Sequence, residues 1–248
     1  MDKVLLVTGG SRGIGAATAR LAARQGWAVA VNYRDHSLAA DEVVRAIRAD
    51  GGTAITVQAD VADEAQVLRM FDKVDAKLGR LTGLVNNAGV VDVSARVDEM
   101  SVARWKRMFD INVIGSLLCA REAVRRMSTR HGGAGGSIVN LSSAAARLGA
   151  PGQYVDYAAA KGAIDAFTLG LAKEVAAEGI RVNAVRPGLI ETEIHASGGL
   201  PHRVNDLKHL VPMQRGGTAD EVAQAIVWLL SDAAGYTTMA LLDVSGGR

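Results

Sequence analysis

Lys3-Val4-Leu5-Leu6-Val7-Thr8-Gly9-Gly10-Ser11-Arg12-Gly13-Ile14-Gly15 is an apolar run that ends in glycines and passes into a helical pattern. A run that is apolar at every position suits a strand buried on both faces. From residue 13 to 25 the period changes: Ile14, Ala17, Leu21 and Ala22 recur at helical spacing. Strand, glycine loop, helix is an arrangement that binds phosphate. Glycines let the backbone turn tightly and approach closely, and the helix N-terminus offers free N–H groups with a partial positive charge. The spacing is G-x3-G-x-G rather than the usual G-x-G-x-x-G, so the loop alone is a weak signal.

Working outward, the same alternation repeats. Strands are expected at 27–32, 53–59, 81–85, 137–141, 180–185 and 241–244. Helices are expected at 37–50, 63–78, 101–127, 155–177 and 218–231, the first with Ser37 as N-cap and Gly51-Gly52 as its stop. Regular alternation predicts an α/β, doubly wound parallel sheet with helices on both faces. The longest unassigned stretch, 190–217, contains Gly198-Gly199, Pro201 and Pro212 and reads as a lid or binding loop.

Composition narrows the class. With 49% apolar and 22% charged residues the 248-residue chain can bury a sizeable core, and no linker divides it, so one domain over 1–248 is expected. Basic and acidic residues number 28 and 26, a balance that argues against nucleic acid as partner. A single cysteine, Cys119, permits no internal disulfide and no zinc cluster, which suits a reducing cytoplasm. Met1-Asp2-Lys3 leads straight into the first strand without a signal-peptide pattern, and no window is apolar enough to predict a membrane span. His195, His202 and His209 recur every seven residues. Gly198, Gly199 and Pro201 interrupt any helix there and no acidic or thiol ligands accompany them, so no metal is expected.

Three further features carry chemistry. The second strand ends Asn32-Tyr33-Arg34, where a carboxylate would repel a 2′-phosphate; no acid occurs until Asp35, and Arg34 and Arg12 suit phosphate, so NADP(H) is expected over NAD(H). Tyr157 and Lys161 stand four apart on one helix face. Such a pair is often an ordinary surface contact. Yet bringing a phenol from pKa ~10 to ~7 takes ~4 kcal/mol, and an ammonium beside a cationic nicotinamide has the sign to supply it. Finally, Ser142-Ser143 and Asn86-Asn87-Ala88-Gly89 end two strands, where ligands of doubly wound sheets sit.

Together these residues resemble the short-chain dehydrogenase/reductase family, single-domain type. The matching elements are Thr8-Gly9-x3-Gly13-Ile14-Gly15, Asp60-Val61, Asn86-Asn87-Ala88-Gly89, Asn112, Ser143, Tyr157-x3-Lys161, Arg186-Pro187-Gly188-x3-Thr192 and Asp243-Val244-Ser245-Gly246-Gly247, in the family's order across essentially the whole chain. The resemblance implies a seven-stranded Rossmann sheet in the order 3-2-1-4-5-6-7. It implies Tyr157 as general acid in carbonyl reduction and base in alcohol oxidation, Lys161 as its activator and holder of the nicotinamide ribose, and Ser143 as the donor to the substrate oxygen. Asn112 would hold a water relaying protons to Lys161. Gly9, Ser11, Arg12, Gly13, Ile14 and Gly15 would cradle phosphate, with Tyr33 and Arg34 beyond them. Asp60 and Val61 would border adenine, Asn87, Ala88 and Gly89 the adenosine ribose, and Pro187, Gly188, Ile190 and Thr192 the nicotinamide.

There are departures: Ser143 and Tyr157 are fourteen apart where thirteen is usual, which puts an extra residue within 150–156, and Met239 replaces a common glycine. The expected activity is reversible NADP(H)-dependent carbonyl reduction of a small-molecule substrate by a homotetramer. Similar chains act on 3-oxoacyl thioesters, sugars, steroids and small ketones, and the many apolar positions lean toward a neutral or acyl substrate. The competing reading is a sensor that binds NADP(H) without turnover, which could dispense with the Tyr-Lys pair.

Overall fold

The computed structural model describes residues 3–248, except the side chain of His195. Seven parallel strands form one sheet in the order β3-β2-β1-β4-β5-β6-β7. The chain runs β1 (Val4–Val7), α1 (Gly13–Arg24), β2 (Ala28–Tyr33), α2 (Ser37–Ala49), β3 (Ala54–Gln58), α3 (Glu64–Leu78) and β4 (Gly83–Asn86). It continues α4 (Val102–Phe109), α5 (Gly115–Met127), β5 (Gly136–Leu141), α6 (Ala145–Leu148), α7 (Val155–Val175), β6 (Ile180–Pro187), α8 (Ile194–Ser197), α9 (Arg203–Leu207), α10 (Ala219–Leu230) and β7 (Leu241–Val244).

Strand side chains alternate between two cores, because successive residues point to opposite faces. Leu5 and Val7 join α1, α2 and α10 through Ala19, Val43 and Ile226. Val4 and Leu6 join α3, α5 and α7 through Phe71, Ala123 and Val175. Both faces are therefore covered, as the uniformly apolar strands require. The order of strands reverses between β1 and β4. A crevice opens there, at the carboxyl ends of the strands, where ligands of such sheets bind.

Local signals explain several boundaries. The Asp63 side chain accepts from Gln66 N at 3.0 Å to start α3, and Thr218 with Glu221 forms a capping box at the start of α10. Ser37 is not a cap: it is the first helical residue of α2, and His36 precedes it without a side-chain cap bond. The stretch 101–127 is also not one continuous helix. Between α4 and α5, residues Asp110–Ile114 widen into a π-type turn, a feature frequent at functional sites. Periodicity cannot show this, because the apolar face passes through the turn without a break.

The segment 190–217 is pinned at its base by an isolated parallel bridge between Ile190 and Gly217, and it carries α8 and α9 rather than irregular chain alone. Within 150–156, where the additional residue was expected, Ala150 and Gly152 take left-handed conformations, as does Gly149 just before it. No helix among the described residues is long and apolar enough to cross a membrane.

Candidate functional site

The glycine loop is held by side chains from neighbouring strand ends. Asn32, buried at the end of β2, accepts from Gly9 N at 3.1 Å while its amide donates to Val57 O and Ala59 O. The Thr8 hydroxyl accepts from Asn87 N at 2.9 Å and Ala88 N at 3.0 Å, and Asn87 Nδ2 donates to Thr8 O and Gly9 O, each at 2.9 Å. A Cβ on Gly15 would lie 2.5 Å from Gly9 O and 2.6 Å from Asn87 Nδ2, so the loop closes only over glycine. Gly13 takes φ +53°, which also favours glycine. At the start of α1, Arg12 makes no side-chain cap bond, which leaves first-turn N–H groups for a ligand.

Two adjoining cavities occupy the crevice. One, of about 400 Å³, is bordered by Gly9, Ser11, Arg12, Gly13, Ile14, Tyr33, Arg34, Asp60, Val61, Asn87, Ala88, Gly89 and Thr192. The other, of about 530 Å³, is bordered by Ser143, Tyr157, Lys161, Pro187, Gly188 and Ile190, and shares Ile14, Asn87, Gly89 and Thr192 with the first. Gly15 and Asn112 border neither: Gly15 backs the loop and Asn112 is fully buried. Apart from Gly15 and Asn112, the residues picked from the sequence thus line two adjoining cavities that share residues. Arg34 is already engaged there, with Nε 2.7 Å from Asp35 and Nη1 3.9 Å from Asp60.

In the larger cavity the two serines after β5 part company. Ser142 Oγ is buried and donates to Lys161 O at 3.2 Å, so it ties β5 to α7. Ser143 Oγ accepts from Ala145 N at 3.1 Å and stands beside the Tyr157 hydroxyl. Burial pushes the Tyr157 phenol up to about 12, with the Ser143 contact opposing it. Burial also brings Lys161 down to about 8, opposed by Asp165, whose carboxylate is itself paired to Arg186 at 2.8 Å. Lys161 Nζ donates to Leu141 O at 2.6 Å and lies 5.5 Å from the centre of the Tyr157 ring. Tyr154 is no competing base: its hydroxyl lies 3.4 Å from Gly198 O, and Ala158 stands four residues on.

The Asn112 side chain clamps the segment after β4. Its amide donates to Val90 O and Met108 O at 3.0 Å, and its Oδ1 accepts from Val90 N at 3.2 Å. Gly89 passes between Asn112 and Lys161, since a Cβ there would meet Asn112 Oδ1 at 2.7 Å and Lys161 Nζ at 3.6 Å. Another brace escaped the sequence reading: Arg104 on α4 grips Asp156 in a buried two-point contact at 2.7 and 3.1 Å, and Asp156 Oδ1 accepts from Tyr157 N. Nothing in the sequence joins positions 52 apart, whereas Asn32 and Thr8, polar residues at the ends of buried runs, carried a signal. His202 and His209 are exposed, and the His195 side chain lies outside the described residues. Among the described residues no group of three or more metal-ligating side chains forms.

A family model described as enoyl-(acyl carrier protein) reductase matches residues 9–248. The chain belongs to the short-chain dehydrogenase/reductase family. It is 57% identical to an "uncharacterized oxidoreductase YgfF" of Escherichia coli K12, over 99% of both chains. It is 43% identical to the cis-4-hydroxycyclohexanecarboxylate dehydrogenase of Sinomonas cyclohexanicum, over 99% of this chain and 96% of that one. Among solved structures, a dehydrogenase/reductase from Sinorhizobium meliloti 1021 superposes with a TM-score of 0.91 at 31% identity, covering 99% of this chain and 94% of the other. This short-chain dehydrogenase/reductase is therefore an oxidoreductase of alcohol and carbonyl groups, in a family that uses nicotinamide cofactors.

Proposed function

We propose that this chain reduces a carbonyl to an alcohol, reversibly, with NADP(H). The observation that carries the reading is the pair of hydroxyls, Ser143 and Tyr157, side by side on one cavity wall with Lys161 behind them. Two O–H groups converging on one point suit a substrate oxygen that gains negative charge as the carbonyl carbon is reduced. Reduction of a carbon–carbon double bond, which the family model's description names, would need the proton delivered to carbon instead.

The smaller cavity fits a dinucleotide: an uncapped helix start, a loop that a Cβ at Gly15 would block, and Arg12 and Arg34 at its rim. When bound, the nicotinamide supplies or accepts hydride at the substrate carbon. The loop from Gly9 to Gly15 holds phosphate through backbone N–H groups. Arg12 and Arg34, with Tyr33 beside them, take the 2′-phosphate, which makes NADP(H) the preferred form over NAD(H). Asp60 and Val61 flank adenine, Asn87, Ala88 and Gly89 line the adenosine ribose side, and Pro187, Gly188, Ile190 and Thr192 cradle the nicotinamide.

Ser143 donates to the substrate oxygen and orients it. Tyr157, held protonated by burial, donates its proton there in reduction and takes one back in oxidation. Lys161, as ammonium, makes loss of that proton easier and binds ribose hydroxyls. Asn112 fixes the backbone beside Lys161 and offers its carbonyl to a relaying water. Residues 1–248 work as one dinucleotide-binding and catalytic domain, with 190–217 as the substrate lid. Val102, Trp105 and Phe109 stand exposed along one face of α4, an apolar surface that supports a homotetramer. A reducing cytoplasm suits the single thiol, buried at Cys119.

The test is NADPH oxidation across a panel of ketones and aldehydes. Turnover on at least one supports the reading. Tight NADPH binding with no turnover on any of them favours the sensor.

A further inference from the structure

The walls of the larger cavity carry positive charge and, among the described residues, no aspartate or glutamate. Lys161 is committed to the reaction centre. The other two cations, Arg203 on α9 and Arg248 at the end of the sequence, are not. Arg203 is half-buried. Its Nη1 donates to Gln153 Oε1 at 2.6 Å, and its guanidinium stacks over the Tyr154 ring at 5.2 Å. Among the described residues it has no carboxylate partner.

The molecule's other withdrawn arginines have their donors taken up: Arg181, also without a carboxylate partner among the described residues, donates to the carbonyls of Leu229, Leu230, Ser231 and Thr237. Arg104 is paired to Asp156, Arg126 to Asp72, Asp75 and Glu122, and Arg186 to Asp165. Burial depresses the Arg203 pKa, and the like charge of Arg248 presses the same way. A half-buried guanidinium without an aspartate or glutamate partner among the described residues, and beside a second one, is a binding element suited to an anion.

We propose that Arg203, with Arg248 beside it, binds a carboxylate on the substrate, so that this enzyme acts on oxo and hydroxy acids. The inference rests on the reductase reading above and adds the substrate class to it. Tyr154 is the cap residue just before α7, three positions ahead of Tyr157. Arg203 covers Tyr154, so the carboxylate lies several bonds from the reacting carbon rather than next to it. Leu148 and Leu207 supply apolar contact for the body between. Such an acid differs from the neutral or acyl substrate that composition favours, because cavity charge depends on which side chains meet there and not on their overall number.

The experiment measures NADPH oxidation with a series of oxo acids, the carboxylate two to five carbons from the ketone, each beside its methyl ester. Wild type, Arg203→Met and Arg203→Lys are compared. Met keeps apolar packing on Tyr154 but removes the charge. For at least one chain length, wild type should favour the acid tenfold or more in kcat/KM, chiefly through KM. The ratio should fall to about one in Arg203→Met and stay intermediate in Arg203→Lys. Esters turned over as well as acids by wild type throughout the series would overturn the proposal and leave the reductase reading standing. If nothing in the series is turned over, calorimetry on the enzyme–NADPH complex decides. Acids that bind at least tenfold tighter than esters, and lose that margin in Arg203→Met, uphold the anion site while the reductase reading fails. Equal binding of both sinks the anion site.

Discussion

The two cavities of this molecule lie side by side and are built in opposite ways. The smaller is walled by backbone at the ends of β1, β2 and β4, and its arginine Arg34 is already balanced by Asp35 and Asp60. The larger is closed by side chains from three distant stretches, around residues 150–154, 203–210 and 248, and its Arg203 has no carboxylate partner among the described residues. A ligand read by backbone leaves glycines in the sequence. A ligand read by side chains leaves no pattern, because the residues that meet are unrelated in spacing. On the proposed function, the first cavity holds the cofactor and the second sets substrate choice.

The strongest test of this division acts at the border of the two. Tyr157→Phe should lower kcat for carbonyl reduction by about 10²–10⁴-fold and leave NADPH affinity within about threefold. Fluorescence titration and initial rates on the same preparation check it. Loss of cofactor binding in step with rate would mean that Tyr157 belongs to the first cavity. Gly15→Ala should break the first cavity alone. Its Cβ would sit 2.5 Å from Gly9 O, and crowding of this kind costs ~1–3 kcal/mol. NADPH affinity should fall tenfold or more, with a lower melting temperature in a thermal scan.

The pH profile reads the second cavity. Tyr157, at about 12, stays protonated through the neutral range, so it imposes no limit on reduction there. Lys161, at about 8, is ammonium below that pH and neutral above it. If the ammonium is the working form, kcat/KM for reduction is flat at lower pH and falls as pH rises through about 8, approaching tenfold per unit. A profile flat to pH 10 would remove Lys161 from that role. Arg34→Ala is expected to weaken NADPH binding by about fivefold and to leave NADH binding nearly unaltered. The effect is held down because Asp35 competes for the guanidinium in the free protein. An equal loss for both nucleotides would detach Arg34 from the phosphate. The smallest effect is expected away from both cavities. Met239 holds φ +66° without being glycine, so Met239→Gly should raise the melting temperature by about 1–3 °C.

The parallel α/β sheet and the glycine loop were legible because each rests on a local signal: runs apolar on every position, and glycines where strands end; the strand order came from the resemblance. Tyr157, Lys161 and Ser143 were expected from the resemblance, and the structure places them on one cavity. The break at Asp110–Ile114 was not, since a π-type turn keeps the apolar face of its helices. Neither was the Arg104–Asp156 grip under Tyr157, nor the meeting of Arg203 with Tyr154. Both join side chains some fifty residues apart, and only the folded chain shows which of 28 basic residues face a cavity.

The account stands on a site made for a carbonyl oxygen. Its most direct test offers the enzyme an α,β-unsaturated ketone with NADPH deuterated at the transferred position, and locates the label in the product by mass spectrometry and NMR. The account predicts an allylic alcohol with deuterium on the carbinol carbon. A saturated ketone with deuterium on the β-carbon would contradict it.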